Sequence, residues 1–337
     1  KTLLKAPLSD YILNPRAEPV DISAPEKMEP LYEYMRECNE NATGFQAVEQ
    51  EFERGTICTD GRLDMCKQVI GPAGVGNLLN ALNLDSLSEF PRVKHILLGN
   101  NICGNELGKA VGKFIKSGKS ALTTWYIAGN DMDVEGITPV CEALLSDTQV
   151  KQLWLKRNPL RAAGMPPIVR MLQTNTFLQV LDLTNTGLLD EGATIILSGL
   201  VGNKTLKYLY LSSNGLTEKS CAILRDTLHK TELEHISLGC NRLGDIGARH
   251  LGFMLAFSSC KLKSLELASC GIGPDGGYDI ACALCSNKSL IELNMGFLKS
   301  TNDLDEVPNV IESKGAVQFA KALEKNTTLR SLDLVYT

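Results

Sequence analysis

The sequence has no long apolar run, few aromatic residues and no excess of positive charge, and the first and last of these absences each exclude a class of protein. No stretch reaches the roughly 18 uninterrupted apolar residues of a membrane-spanning helix, so we expect no membrane span. The formal net charge is −5, whereas proteins that neutralise nucleic-acid phosphates are usually basic, so we expect no nucleic-acid partner. Aromatic residues are only 6% of the chain, so a cluster of them on one surface is informative.

Sequence motifs for catalysis or cofactor binding are also missing. The 337 residues contain no phosphate-binding loop, no nucleophile elbow and no zinc-protease helix motif. Cys282 and Cys285 form one Cys-x-x-Cys pair on a predicted helix, but a single pair is weak support for zinc, and we expect both to pack as small apolar residues. The sequence therefore predicts a protein that is not an enzyme, with no catalytic residue, no metal and no cofactor.

The cysteines point to a compartment. There are 11 of them, an odd and scattered set, which in a chain of this length favours free thiols in a reducing environment. We therefore expect no disulfides and a cytoplasmic protein, acting in its own cell or in a host. Four Asn-x-Ser/Thr triplets, at Asn41, Asn203, Asn287 and Asn326, arise easily by chance and do not indicate secretion.

One pattern recurs nine times from Val93 onward. Positions 1, 4 and 6 of each repeat are apolar, position 9 is usually Asn, and position 11 is apolar. Successive repeats start 27 to 29 residues apart, except for a last step of 39. Because every one of the 27 sites at positions 1, 4 and 6 is apolar, chance is excluded. The repeats start at Val93, Leu122, Val150, Leu178, Leu206, Leu233, Leu262, Leu290 and Leu329.

A helical pattern follows each apolar strand pattern, as at Ala248, Leu251 and Leu255. Each repeat therefore predicts a short strand, a turn and an amphipathic helix, and an earlier repeat is predicted around Leu63 and Met65. One such unit cannot bury its apolar face alone, so neighbouring units stack. Since strands lie about 4.8 Å apart and helices about 8–10 Å apart, the stack should bend, with the strands on the concave side.

The pattern Leu-x-x-Leu-x-Leu-x-x-Asn-x-Leu, with a helix in each repeat, resembles the ribonuclease-inhibitor type of leucine-rich repeat. Two segments, 153–155 and 267–272, resemble one repeat variant of that family, although strict alternation of two variants is absent. The resemblance implies an α/β solenoid shaped as a curved horseshoe, with parallel strands on the concave side and helices on the convex side. The family includes inhibitors, GTPase activators, immune sensors and bacterial effectors, so the resemblance implies binding without naming a partner.

The chain before the repeats is expected to be an arm and a cap. We place the arm and an N-terminal helical cap in residues 1–57 and the repeats, about ten units, in residues 58–337. Residues 1–24 contain three prolines and predict an extended arm. One helix is predicted from Ser23, as its N-cap, to about Cys38, and another over Phe45 to Phe52. Together they should cover the edge of the first strand.

The C-terminal part departs from the pattern in two ways. No cap follows the last predicted strand, so we expect a C-terminal cap or a further domain beyond Thr337. The long step holds an 11-residue insertion around 296–313, and its Leu298 stands where an inward Asn should satisfy backbone groups of adjacent turns, so the Asn network should lapse there. The insertion is either a projecting acidic binding loop or a tolerated surface insertion. Its acidic residues are Asp303, Asp305, Glu306 and Glu312.

The concave side should carry the binding surface. Side chains alternate along a strand, so positions 3, 5 and 7 should face the concavity, while Trp125, at position 4, should lie in the core. Aromatic residues occupy several of these exposed positions, beside a local positive pair, and the later repeats are acidic there. This composition is typical of binding hot spots, although packing across strands is the alternative. The predicted partner-binding residues are Tyr126, Trp154, Lys156, Arg157, Tyr208 and Tyr210.

Two histidines also fall on that side. His95 and His235 stand at position 3 five repeats apart, more than about 20 Å, so they cannot share a metal, and we expect both to be solvated surface residues.

The predicted function is a non-enzymatic protein-interaction scaffold that binds a protein partner on the concave face, as a regulator, sensor or effector. The alternative, a GTPase-activating protein of the Ran type, rests on resemblance of fold only. The sequence leaves the partner and the oligomeric state open.

Overall fold

The computed structural model describes most of the chain in two compact units. One unit comprises residues 16–181, and the other comprises residues 1–15 and 182–337. The described residues are 4, 6–17, 19–40, 49–82, 93–118, 121–299 and 304–337.

Every predicted repeat strand is present and spans three residues, positions 3 to 5 of its repeat. Two shorter strands, of two residues each, precede the repeat strands. The strands are β1 (Gln50–Glu51), β2 (Thr56–Ile57), β3 (Arg62–Asp64), β4 (His95–Leu97), β5 (Thr124–Tyr126), β6 (Gln152–Trp154), β7 (Val180–Asp182), β8 (Tyr208–Tyr210), β9 (His235–Ser237), β10 (Ser264–Glu266), β11 (Glu292–Asn294) and β12 (Ser331–Asp333).

A helix follows each repeat strand from β3 to β11. The helices are α1 (Asp10–Leu13), α2 (Glu29–Glu40), α3 (Gly71–Ala81), α4 (Gly104–Lys116), α5 (Val134–Leu144), α6 (Met165–Thr174), α7 (Leu189–Gly199), α8 (Glu218–Thr227), α9 (Gly244–Ala256), α10 (Pro274–Leu284) and α11 (Glu312–Leu323).

Strand pairing follows chain order within each unit. In the unit of residues 16–181, β3, β4, β5 and β6 pair in parallel. In the other unit, β8 to β12 pair in parallel in the same way. The register sets position 4 beside position 4, as in Ile96 beside Trp125 beside Leu153, and all three side chains are fully buried. The predicted α/β repeat architecture is therefore confirmed.

The Asn residues at position 9 hold neighbouring turns together, as expected. Asn130 is a good example: its Nδ2 donates to the carbonyl of Leu98 at 2.8 Å, and its Oδ1 accepts from the backbone N–H of Asn101 at 3.1 Å. Asn158 repeats this arrangement one repeat later, accepting from the N–H of Asn130 at 3.0 Å. Buried backbone groups that would otherwise be unsatisfied thus find partners.

The prediction that this network lapses at Leu298 is wrong, because Asn309 takes over the role. Its Nδ2 donates to the carbonyls of Leu267 and Met295 at 2.8 and 2.7 Å, and its Oδ1 accepts from the N–H groups of Cys270 and Ile272. Asn309 is 1% exposed, whereas Leu298 is 44% exposed. The 11 extra residues therefore lie between positions 6 and 9, and the repeat resumes its normal spacing at Asn309.

The predicted cap is wrong in its second half. Of the expected helix over Phe45 to Phe52, residues 45–48 lie outside the described residues, and residues 50–51 form β1, which pairs with β2 in an antiparallel hairpin. Because β2 lies antiparallel against β3, this hairpin covers the strand edge that helices were expected to cover. The helical part begins after Ala24, and Ser23 does not cap it but donates its N–H to the carbonyl of Val69.

The arm is not simply extended, since its residues 10–13 form α1, capped by the side chain of Ser9. In the unit that contains residues 182–337, the arm packs against the turns that follow the strands. A Cβ added at Gly215, whose φ is +66°, would lie 3.0 Å from Leu8 and 3.1 Å from Ile12. Apolar arm residues thus occupy space that a glycine leaves open.

A buried ion pair ties this arm to the insertion. Arg242 Nη2 lies 2.9 Å from Asp305 Oδ1, with the two side chains 8% and 9% exposed. Arg242 also donates to the carbonyls of Ala6 and Pro7, and the N–H of Ser9 donates to the Asp305 carboxylate. The interpretation of the insertion as a projecting acidic loop is therefore wrong for Asp305, which points inward; Asp303 lies outside the described residues.

Candidate functional site

The sheet has one face on which positions 3 and 5 lie, away from the buried side chains of positions 4 and 6; we call it the open face. Trp125, at position 4, is 0% exposed and packs edge-on against Phe114, with ring centroids 5.9 Å apart. Trp154, at position 5, is only half-buried. The register predicted from the sequence is therefore confirmed for the two tryptophans.

Tyr126 and Trp154 lie side by side on the open face of the unit of residues 16–181. Their ring centroids are 6.3 Å apart and the ring planes are inclined by 43°. A Cβ at Gly99 would lie 2.6 Å from the Tyr126 ring, so the absence of a side chain there lets the ring lie against the backbone. The two rings wall a shallow cavity of about 390 Å³, the aromatic cavity, lined by Asp60, Arg62, His95, Leu97, Thr124, Tyr126, Gln152 and Trp154.

Position 3 supplies the polar rim of the aromatic cavity. His95 Nδ1 and Thr124 Oγ1 are 2.8 Å apart, which links two neighbouring strands. Trp154 Nε1 donates to Gln152 Oε1 at 3.3 Å, which satisfies the indole N–H. His95, expected to be a solvated surface residue, therefore lies in the candidate site. His95, Thr124 and Gln152 are not among the binding residues predicted from the sequence, although their shared position 3 was a usable signal.

Positive charge lies next to the aromatic cavity. Arg157 has a φ of +56°, and its Nη2 donates to Asn100 Oδ1 at 3.0 Å. Its Nε is buried and has no hydrogen-bond partner within the described ranges. At the far end of the cavity, Arg62 is paired with Asp60 at 2.7 Å, and both side chains are about half exposed.

The open face of the unit with residues 182–337 carries a second aromatic group. His235 packs against Tyr208 and Tyr210, with ring centroids 5.8 and 4.8 Å away. The expectation of a solvated His235 is wrong, since its Nε2 is buried and desolvation lowers the pKa of the imidazole. Tyr208 remains 41% exposed, whereas burial, and next the charge of Asp182, raises the pKa of Tyr210.

Two serine hydroxyls and the carboxylate of Glu266 lie next to this second aromatic group. Ser212 Oγ and Ser237 Oγ are 2.6 Å apart, and Ser237 Oγ donates to Glu266 Oε2 at 3.0 Å.

Of the six predicted binding residues, Tyr208 and Tyr210 lie in this unit. The other four, which lie in residues 16–181, are Tyr126, Trp154, Lys156 and Arg157. That all six act as one surface stays a prediction.

The described part of the chain contains neither a metal-binding cluster nor a membrane-spanning helix. No three His, Cys, Asp or Glu side chains in those ranges come together where they could hold a metal ion. Cys282 and Cys285, the Cys-x-x-Cys pair, are half-buried and unpaired. None of the helices described above is both long and apolar enough to span a bilayer.

Comparison with known proteins identifies the repeats. A family model described as Leucine Rich repeat matches residues 174–196, 202–221, 229–252 and 258–281. Over 78 residues the chain is 38% identical to Ribonuclease inhibitor of Sus scrofa, covering 23% of this chain and 17% of that protein. These are leucine-rich repeats of the ribonuclease-inhibitor type. The predicted fold class, an α/β leucine-rich-repeat solenoid, is thereby confirmed.

Leucine-rich repeats of other proteins are also similar. Identity is 32% over 133 residues to NACHT, LRR and PYD domains-containing protein 14 of Mus musculus, covering 34% of this chain and 13% of that protein. The matches span less than a fifth of the length of either relative. Leiomodin-1 actin-binding site 2 aligns with a TM-score of 0.31 and 25% identity over 37% of this chain and 69% of that one, too weakly to inform function. The curated relatives indicate no enzyme family.

Proposed function

We propose that the chain is a non-enzymatic scaffold that binds a protein partner through the open face of its leucine-rich repeats, as a regulator, sensor or effector. The observation that carries this proposal is the half-buried Tyr126–Trp154 pair that walls the aromatic cavity. Large aromatic side chains left partly exposed in a concave site are typical anchors of protein interfaces. The same repeat type in Ribonuclease inhibitor adds support from similarity.

The architecture supports binding rather than a structural role for Trp154. Trp125 already fills the core beneath the strands, so the fold does not need a second large ring on the opposite side. Repeat stacks offer extended surfaces, since each repeat adds two strand residues, at positions 3 and 5, to one face. An aromatic residue on such a face contributes area for a partner at a low cost in side-chain entropy.

The proposal extends to compartment and partner class. No disulfide joins cysteines within the described ranges, which supports a reducing compartment and hence a cytoplasmic protein. The negative net charge supports a protein partner over nucleic acid. GTPase activation has no structural observation in its favour.

The test is affinity capture from cell lysate with the intact chain and with Trp154→Ala, with each recovered partner then titrated as purified protein. Truncating a hot spot costs about 2–4 kcal/mol, so Trp154→Ala should weaken binding by about 30-fold or more. The matched control is Phe253→Ala, which removes an aromatic side chain that is 56% exposed on α9. Partners that bind Trp154→Ala normally but lose affinity for Phe253→Ala would move the site to the helices. Stimulated GTP hydrolysis by a small GTPase would favour the enzyme alternative.

A further inference from the structure

Charge on the open face differs between the two units. The difference lies at positions 3 and 5 of the strand and positions 7 and 8 of the turn that follows it, in the repeats of β3 to β6 and of β8 to β12. In the repeats of β8 to β12 these positions hold no Lys or Arg but three carboxylates: Glu266, Glu292 and Asp333. In the repeats of β3 to β6 they hold one carboxylate, Asp64, and four basic residues: Arg62, Lys67, Lys156 and Arg157.

The two basic residues that follow Trp154 in the sequence, Lys156 and Arg157, are not balanced by a carboxylate within the described residues. Asp60 pairs with Arg62, and the Asp64 carboxylate accepts a hydrogen bond from the backbone N–H of Cys66. Among the described residues, no carboxylate forms an ion pair with Lys156 or Arg157. A surface that keeps such charges unpaired is complementary to a partner of opposite charge.

These charges and the aromatic cavity belong to one repeat. Lys156 follows Trp154 by two residues, roughly 7 Å along an extended chain, and alternation places both on the same face. The cavity has an apolar side, formed by Leu97 and the two rings, and a polar rim, and the charged groups of Asp60 and Arg62 in its lining form an ion pair with each other. A ligand that fills it should therefore present a large apolar group with negative charge within a few residues of it.

We propose that the aromatic cavity receives a large apolar side chain from an acidic segment of a protein partner, whose carboxylates pair with Lys156 and Arg157. This inference rests on the proposed function and specifies the chemistry of its partner. A segment of a protein fits better than a small molecule, because small-molecule sites enclose most of their ligand. The lining of this cavity stays partly exposed, so the cavity does not enclose its ligand. The rest of the ligand must therefore shield the bound group from solvent.

The experiment is selection of a phage-displayed library of random 12-residue peptides on the intact chain, followed by affinity measurement of synthetic peptides. We expect the peptides that depend on Trp154 to contain Trp, Phe or Leu next to Asp or Glu. Replacing those acidic residues by Gln or Asn should weaken binding on the order of tenfold. Raising the salt concentration should also weaken binding, because exposed charge pairs are screened.

Two variants separate the contributions. Lys156→Glu with Arg157→Glu should switch the selected flanking residues from acidic to basic. Phe253→Ala, which removes an exposed aromatic side chain on α9, should change affinity less than about twofold. Because Arg157 also bonds Asn100, Lys156→Glu alone is measured as well, and its effect should have the same sign.

The outcomes are distinguishable. Peptides that depend on Trp154 but carry basic or neutral flanks would overturn the partner class and leave the proposed function standing. Acidic peptides that bind Trp154→Ala as tightly as the intact chain would overturn the role of the cavity. A selection that yields no peptide dependent on Trp154 would count against both proposals.

Discussion

The buried pair of Arg242 and Asp305 should be a principal support of the unit that contains residues 182–337, and Asp305→Ala tests it. The substitution leaves a guanidinium that is mostly buried with two backbone carbonyls, Ala6 and Pro7, as its remaining acceptors. It also removes the acceptor of the Ser9 N–H. Removing one partner of a buried pair costs about 3–5 kcal/mol, and the two carbonyl acceptors place our expectation near 3 kcal/mol.

The assay is equilibrium urea unfolding followed by circular dichroism. The double variant Arg242→Met with Asp305→Leu should lose much less stability than Asp305→Ala alone, since no unpaired charge stays buried. Asp226→Ala is the matched control: it removes a carboxylate that is 59% exposed and paired with Arg225, so its cost should be below about 1 kcal/mol. If Asp305→Ala and Asp226→Ala lose equal stability, the ion pair does not hold the arm and the insertion together.

Three further predictions follow from burial. Trp125→Ala should destabilise the protein by about 3–5 kcal/mol, whereas Trp154→Ala should leave the urea midpoint nearly unchanged; the reverse order would mean that the strand register is wrong. Asn309→Ala should cost on the order of 3 kcal/mol in the same assay, because two N–H groups and two carbonyls lose their partner, whereas Leu298→Ala should be close to neutral. At pH 8 a thiol reagent should rapidly modify at most three cysteines of the native protein, Cys58, Cys282 and Cys285, and all eleven after denaturation. Burial raises the pKa of the other thiols, that of Cys103 and Cys141 to about 12 and that of the half-buried Cys66 to about 11. Rapid reaction of more than three thiols in the native protein would contradict the packing.

The repeats were predictable because their periods are local and redundant. Alternation along a three-residue strand fixes which face each residue takes, and nine repeats of nearly constant length fix where each strand begins. The same logic placed Trp125 inside and Trp154 outside. It failed at the insertion because counting from Leu290 put Leu298 at position 9. Ile311 and Gly315 follow Asn309 at the same spacing at which Leu243 and Gly247 follow Asn241.

Features that depend on contacts across the chain were not predictable. The hairpin of β1 and β2 has strands of two residues, too short for an apolar pattern. The contacts of the arm join residues that are far apart in sequence, and no repeating sequence pattern indicates such contacts. For the site, the aromatic walls could be selected residue by residue, but the polar rim of His95 and Thr124 exists only because β4 and β5 are neighbours.

The arm also changes the order in which this protein can complete its structure. A stack of repeats normally contains only contacts between neighbours, so it can form from either end and lose terminal repeats one at a time. The bond from Ser9 to Asp305 joins residues 296 positions apart. The arm leaves the ribosome before the repeat with Asp305 and cannot dock until that repeat has been made, so folding of this unit acquires a late, long-range step. We therefore expect that in a chain shortened before Asp305 the arm, which is far from the truncation in sequence, no longer docks. In an ordinary repeat stack such a truncation affects only the neighbouring repeats.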